Sequence, residues 1–181
     1  MFRRERDPEF EALAVPLFEP LYNFAYWLAQ NRDEAEELVQ ETFAKSLHGF
    51  GSFQRGTNFK AWMFRILRNT FLTSRTGLRS APTVDVDDPA LEVVITDVRD
   101  NPETHLMQVR DREAIERALE QLPLPFREVI LLCDVEEMKY QEIAETLSIP
   151  IGTVMSRLAR GRRMMRSLLG DDTGVRRKVR S

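Results

Sequence analysis

Residues 77 to 105, GLRSAPTVDVDDPALEVVITDVRDNPETH, carry three prolines, set seven acids against two bases, and hold no sustained hydrophobic period. Such a stretch buries too little apolar surface to join a core, so it reads as a flexible acidic linker with one short extended piece at LEVVIT. It divides the 181-residue chain into two flanks, each long enough for one small domain. Both flanks repeat their apolar residues at helical spacing. The expected architecture is therefore all-α. Two small helical domains, 8–76 and 106–170, are joined by the linker 77–105 and followed by a basic tail, 171–181. A linker of this composition leaves the two domains without one fixed relative orientation.

In the first flank Leu13, Leu17, Leu21, Phe24 and Leu28 recur at helical spacing. Asn31 or Asp33 can cap the next helix, DEAEELVQETFAKSLHGF, whose acids crowd the first turn where the helix dipole favours them. On a helical wheel Ala35, Leu38, Val39, Thr42, Phe43 and Ser46 share one side, and Glu34, Glu37, Gln40, Glu41 and Ala44 share the other. A loop around residues 51–58 precedes a third helix from Phe59 to about Ser74.

The second flank ends in YQEIAETLSIPIGTVMSRLARGRRMMRSLL. Ile143, Ala144 and Leu147 line one side of a short helix, SIPIG makes a tight turn, and Val154, Leu158, Met165 and Leu168 give a longer helix its apolar face. Short helix, turn, longer basic helix is the pattern of a helix-turn-helix. With Val154 and Leu158 buried, the opposite face carries Met155, Ser156, Ala159, Arg160, Arg163 and Arg166, flanked by Arg157 and Arg162. Small residues in the first turns let such a helix sit deep in a major groove. There Arg160 can make a bidentate contact to guanine and Ser156 can donate to a base or phosphate. Thr153 and the amides at the helix start suit a phosphate.

Charge agrees with that assignment. The formal net charge is −3, yet residues 151–181 hold nine bases and two acids. Within the acidic remainder, residues 42–84 contain no acid at all, against Lys45, Arg55, Lys60, Arg65, Arg68, Arg75 and Arg79. Two positive surfaces on a negative protein point to two contacts with a polyanion. The first overlaps FGSFQRGTNFKAWMFRILRNTF, in which six aromatics stand beside the bases. Unpaired bases need flat apolar faces to stack on and cations for their backbone, so this segment reads as a surface for melted DNA. On helical spacing Phe59, Met63, Ile66 and Leu67 belong to the core, leaving Trp62, Arg65 and Asn69 off that face.

Other classes find little support. His48 and His105 have no partner at ligand spacing, Cys133 lies within the apolar run VILLCDV, and no Gly-rich phosphate loop or nucleophile elbow is present, so neither an enzyme nor a cofactor is expected. In the linker, DVDD resembles part of a calcium loop, but Pro89 and Ala90 stand where the sharp turn needs Gly. No apolar run approaches the roughly 20 residues of a bilayer span, and MFRRERDPEF lacks the apolar core of a secretory leader. A cytosolic location is expected. The rival reading is a stand-alone helix-turn-helix regulator with a sensing N-terminal half.

The chain resembles the extracytoplasmic-function sigma factors, a two-domain group of bacterial transcription initiation factors in the sigma-70 family. DEAEELVQETFAKSL is similar to the group's acidic helix, FGSFQRGTNFKAWMFRILRNTF to its promoter-melting segment, and ALEQLPLPFREVILLCDVEEMKYQEIAETLSIPIGTVMSRLARGRRMM to its final domain. The resemblance covers about residues 10–169. It implies that Glu37, Gln40 and Glu41 dock on the clamp helices of the largest core RNA polymerase subunit, with the final domain on the flap of the second-largest. It implies that Phe53 and Asn69 belong to a pocket for a flipped base of the −10 element. Lys45, Lys60, Arg65 and Arg68 would lie near the same strand and Trp62 at the edge of the melted region. The final helix, with Thr153, Met155, Ser156, Arg157, Ala159, Arg160 and Arg163, would read the −35 element as duplex. Position 155, often basic in the group, is Met here, which offers a thymine methyl an apolar partner. The acidic linker would run through the polymerase cleft, and the tail TGVRRKVRS lies beyond the group's usual end. An anti-sigma factor is the partner expected to hold the protein inactive. TNFKAWMFRILRNTF is similar to the stress-responsive branch whose anti-sigma proteins contain zinc.

Overall fold

The computed structural model describes residues 7–76 and 112–172; the acidic linker, its LEVVIT and DVDD pieces, His105 and the basic tail from residue 173 on lie outside the described residues. All regular structure in the described residues is helical. The first helix, α1 (Pro8–Ala14), starts where the Asp7 carboxylate accepts the amides of Glu9 and Phe10 at 3.0 and 3.1 Å, with Pro8 at a position whose missing amide costs nothing. A 3₁₀ turn, Val15–Leu17, leads into α2 (Phe18–Ala29), which ends at Gln30 in the left-handed conformation (φ 53°). Asn31 then caps α3 (Arg32–Gly49), its side chain accepting the Glu34 amide at 3.0 Å, so of the two candidate caps Asn31 is the one used. After the 3₁₀ turn Phe50–Ser52, α4 (Phe59–Thr76) is capped by Asn58, which accepts the Ala61 amide at 3.0 Å.

Helices α2, α3 and α4 pack together around Leu21, Phe24, Leu38, Val39, Met63, Phe64 and Leu67. The leucine series is interrupted at its start: Leu13 is exposed and Leu17 half-buried. Pro16, which has no amide to donate, lies in the 3₁₀ turn, and the tighter winding there shifts the helical phase between α1 and α2.

The second unit comprises α5 (Arg112–Gln121), α6 (Leu124–Ile130) continuing into a π turn (Leu131–Val135), α7 (Tyr140–Leu147) and α8 (Ile151–Asp172). Ser148 closes α7 in the left-handed conformation (φ 55°), and the Ile149 amide returns to the Ala144 carbonyl at 3.0 Å. Pro150 accepts the first amides of α8, from Thr153 and Val154. Tight turn, short helix and long helix are thus in place as a helix-turn-helix. Gly161 lets α8 lie directly on α6, since a Cβ there would come within 2.9 Å of Ile130 Cδ1 and 3.3 Å of Phe126 Cβ.

One expectation is corrected. The two units are not left without a relative orientation: α4 packs on α7 and α2 on α6, and their buried apolar residues join in one cluster. Arg127 spans the junction. Its guanidinium donates to the carbonyls of Leu119, Glu120 and Leu122 in its own unit and of Trp27 in the other, at 2.7–3.1 Å. The linker's composition says nothing of this, because the surfaces that meet belong to the helices on either side of it.

Candidate nucleic-acid interface

The aromatic stretch of residues 50–71 is used mainly for packing. Phe50, Phe53, Phe59, Phe64 and Phe71 are all buried, and Trp62 is half-buried. Phe53 lies at the centre of the array, 5.3 Å from Phe59 and 5.0 Å from Trp62 between ring centroids, with 9% of its surface exposed. A free bank of stacking rings, the surface the sequence suggested, is therefore absent among the described residues; what faces outward here is polar. Arg65 and Asn69 are exposed, one turn apart on α4, and Trp62 is half-buried. Helical spacing identified most of the rings as apolar positions but could not tell a ring packed on its neighbours from a ring offered to a base.

The remaining cations of this stretch are engaged. Arg55 forms a two-pronged pair with Glu9, at 2.7 and 3.0 Å, which raises the Arg55 pKa and lowers that of Glu9 through the hydrogen bonds they share. Lys45 reaches Glu41 at 2.7 Å and Thr70 Oγ1 at 3.2 Å. Lys60 and Arg68 point across the junction. Lys60 Nζ lies 3.0 Å from the Glu136 carboxylate and donates to the Glu136 carbonyl at 2.9 Å. Arg68 meets Glu128 at 2.8 Å and donates to the Leu147 carbonyl at 3.2 Å.

On α8, Met155, Arg160, Arg163 and Arg166 are exposed, with Thr153, Ser156 and Ala159 half-buried along the same side. Val154, Leu158 and Met165 are buried, as the wheel requires, and Leu168 is half-buried. The Arg160 guanidinium rests 5.3 Å from the Phe126 ring centroid. Two flanking arginines turn inward. Arg162 pairs with Asp134 at 2.6 Å, and those hydrogen bonds hold its pKa above the ordinary value. Arg157 is half-buried; desolvation lowers its pKa, opposed by the charge of Glu128 and reinforced by that of Arg68. Sequence reasoning missed the acidic partners Glu128, Asp134 and Glu136; Glu128 and Asp134 fall among apolar positions of an element that must pack, whereas Glu136 lies in the turn that follows it.

A third surface lies on α3. Glu37, Gln40 and Glu41 are exposed on one side. The same unit exposes apolar side chains: Leu47 on α3, and Leu13, which helical spacing had placed in the apolar series, with Val15 and Phe18 on the preceding elements. The Phe18 ring lies 6.0 Å from Phe43, so the patch continues onto α3. Its signal was legible only in the disturbed leucine phase around Pro16. Elsewhere, burial raises the Cys133 thiol to about 11, the state of an inert half-buried residue. No group of three or more His, Cys, Asp or Glu able to hold a metal occurs among the described residues, and no described helix is long and apolar enough to cross a membrane.

A helix-turn-helix with an outward basic helix, coupled to a second helical unit with its own basic face, defines a nucleic-acid-binding protein of the transcription class. Comparison with known proteins narrows the class. Residues 17–80 match the family described as Sigma-70 region 2, and residues 112–165 the family described as Sigma-70, region 4. The ECF RNA polymerase sigma factor EcfG of Rhodopseudomonas palustris is 34% identical over 156 residues, covering 86% of this chain and 81% of that protein. SigE of Mycolicibacterium smegmatis is 34% identical over 171 residues, covering 90% of this chain but 62% of SigE, so the chain spans less than two thirds of that relative's length. Among solved structures, the sigma factor RpoE in complex with the anti-sigma factor NepR from Bartonella quintana superposes on 92% of this chain with a TM-score of 0.69 and 27% identity. CnrH, solved with the cytosolic domain of CnrY, shares the fold at a TM-score of 0.63 and 22% identity. The chain belongs to the ECF sigma factors of the sigma-70 family.

Proposed function

We propose that the chain is an alternative sigma factor that binds core RNA polymerase and directs it to promoters whose −35 element is read as duplex and whose −10 element is read as melted strand. The observation that carries this reading is the pairing, in one chain of this family, of the outward basic face of α8 with the acid-free basic helix α4. On α8 the group Thr153, Met155, Ser156, Arg157, Ala159, Arg160 and Arg163 reads the duplex. Arg160 and Arg163 are exposed for base or phosphate contact, while Met155 offers a thymine methyl an apolar neighbour. On the first unit Lys45, Phe53, Lys60, Trp62, Arg65, Arg68 and Asn69 hold the melted strand. Flipping a base costs a few kcal/mol, so a pocket that recovers this only for the right base also selects the promoter. Asn69, exposed on α4, supplies an amide able to read a base edge.

Glu37, Gln40 and Glu41 form the docking surface for the polymerase clamp helices, with the exposed apolar side chains of Phe18 and Leu47 on the same unit available to it, while the second unit meets the flap. An exposed apolar patch rimmed by charge is what a protein interface needs. An anti-sigma factor is a further partner, supported by the neighbour solved with NepR.

The test is run-off transcription with purified core polymerase on a library of random promoter-like sequences, with and without the chain. Specific starts that require the chain are expected; no starts, together with tight duplex binding without polymerase, would favour a stand-alone regulator. In the same assay Asn69→Ala should reduce open-complex formation about ten-fold or more, on the scale of 1–3 kcal/mol for a specific base contact, while leaving core binding intact. Unchanged permanganate reactivity of the −10 thymines in that variant would remove Asn69 from the pocket.

A further inference from the structure

Three successive residues fix α8 against α6 and the π turn, each by a different contact. Gly161 lets the two helices approach closely, because Phe126 Cβ and the Ile130 side chain lie against the space a Cβ would fill. Arg162 is tied to the π turn, donating to both Asp134 carboxylate oxygens at 2.6 and 3.2 Å and to the Cys133 sulfur at 3.5 Å. That ion pair is only 22% and 18% exposed, so solvent screens it less than a surface pair and it holds the rotation of α8 about its axis. Arg160 is the third. Its guanidinium carbon lies over the Phe126 ring, 5.3 Å from the centroid. Among the described residues, no other base of α8 lies over an aromatic ring.

Phe126 is itself well held. It stands in the first turn of α6 with Pro123 and Pro125 just before it, and its amide donates to the Pro123 carbonyl at 3.0 Å. Proline fixes its own φ, so this turn has few alternatives. The next residue, Arg127, is buried and donates to four carbonyls. The half-buried Phe126 ring is therefore a rigid support beneath an exposed arginine.

An exposed arginine has many rotamers, whereas a bidentate contact to a base needs one of them. A guanidinium over a ring is attracted through its charge, and its N–H donors lie in its own plane, so the ring contact does not consume them. An arginine that swings away to a neighbouring base or a phosphate gives up that contact. Wrong pairings thus become less favourable relative to the right one.

We propose that Phe126 is a positioning residue for −35 reading: its ring holds Arg160 in the arrangement that pairs with one base, and so sets how strictly that base is required. Phe126 acts through Arg160 rather than on the DNA. The inference rests on the sigma-factor reading above for the role of the duplex element. Without the ring, Arg160 keeps its charge and still reaches phosphate, so overall duplex affinity persists while discrimination at one position falls.

The test is run-off transcription by core polymerase with the full chain, on templates randomised over the −35 region and carrying a fixed −10 element selected by the unaltered chain. The readout is the base preference at each −35 position. Arg160→Ala should abolish the preference at one position, which identifies the base it reads. Phe126→Leu should lower the preference at that same position about two- to five-fold, the scale of an exposed cation–π contact, and leave the other positions unchanged. Phe126→Tyr, which keeps a ring face, should retain it. The double variant Phe126→Leu/Arg160→Ala should lose nothing beyond Arg160→Ala alone. An equal fall at every position in Phe126→Leu would reveal a merely structural role and overturn the proposal. Unchanged preferences in Phe126→Leu, a further loss in the double variant, or no position sensitive to Arg160→Ala would overturn it too. Failure of the sigma-factor reading looks different: the unaltered chain gives no specific starts. The same proteins are then compared on the randomised duplex without polymerase, where a loss in Phe126→Leu confined to the position read by Arg160 keeps the positioning role and any other pattern rejects it.

Discussion

Phe64→Ala is expected to lower the stability of the protein by about 3–5 kcal/mol, the largest effect of any single core substitution proposed for this chain. Phe64 has no exposed surface, lies on α4 between the two other long helices of its unit, and packs on Phe24 with ring centroids 5.2 Å apart. Truncation loses the transfer energy of the ring and leaves a cavity that Leu67 and Met63, both fully buried already, cannot collapse to fill. A small domain has about 5–15 kcal/mol in total, so the variant should be near its unfolding limit at room temperature. Urea unfolding followed by far-UV circular dichroism measures the loss. Phe64→Leu, which keeps most of the volume, should lose far less. Equal losses in the two variants would mean that this site relaxes freely and that the helix contacts, not the ring, set the stability.

The same position explains what the sequence could and could not reveal. Period brought Met63, Leu67, Leu38 and Val39 to the buried side, and local composition narrowed the cap of α3 to Asn31 or Asp33, of which Asn31 is used, because caps and apolar stripes are local. The helix-turn-helix was legible for the same reason: short helix, left-handed Ser148, Pro150 and long helix follow one another in the chain. The aromatics were harder. Phe53 sits in a loop between helices, where no period says which way a ring faces, and four of the six rings, Phe50, Phe53, Phe59 and Trp62, proved to be mutual packing partners.

The charged residues show the deeper limit. Lys60, Arg68 and Arg157 were assigned to DNA because each lies on a basic face of its own helix. In the structure, however, the partners of Lys60 and Arg68 come from the other unit, 76 and 60 residues along the chain. Local reading identifies a basic face but not the acid that meets it across a junction. Glu128 gave a faint sign, an acid within FREVILL flanked by residues that must be buried. Arg127 beside it gave the same sign and was equally passed over. A charge on the buried side of a short helix is evidence for a partner at a distance.

For Arg127 that partner is backbone, and Arg127→Met should cost about 3 kcal/mol or more. The guanidinium is buried and donates to Leu119 and Glu120 in the last turn of α5, to Leu122 just beyond it, and to Trp27 in the last turn of α2. These carbonyls include ones that helix ends leave unsatisfied, and a cation there also lies at the negative end of two helix dipoles. Desolvation lowers the Arg127 pKa, opposed by the charges of Glu120 and Glu128, but a guanidinium stays charged at any ordinary pH. Methionine fills similar space and leaves the carbonyls without a donor. Lysine keeps the charge but cannot fork across both helix ends, so Arg127→Lys should recover only part of the loss. The tie to Trp27 also joins the two units, which gives the prediction a second readout. Both tryptophans, Trp27 and Trp62, lie in the first unit, so their fluorescence follows that unit while circular dichroism follows both. In the unaltered chain the two signals should change together on unfolding. In Arg127→Met the dichroism should fall at lower urea than the fluorescence, because the second unit, robbed of the α5 cap, melts before the first. Coincident transitions with an unchanged midpoint in the variant would show that water or a neighbouring donor satisfies these carbonyls, and that Arg127 holds neither the helix end nor the junction.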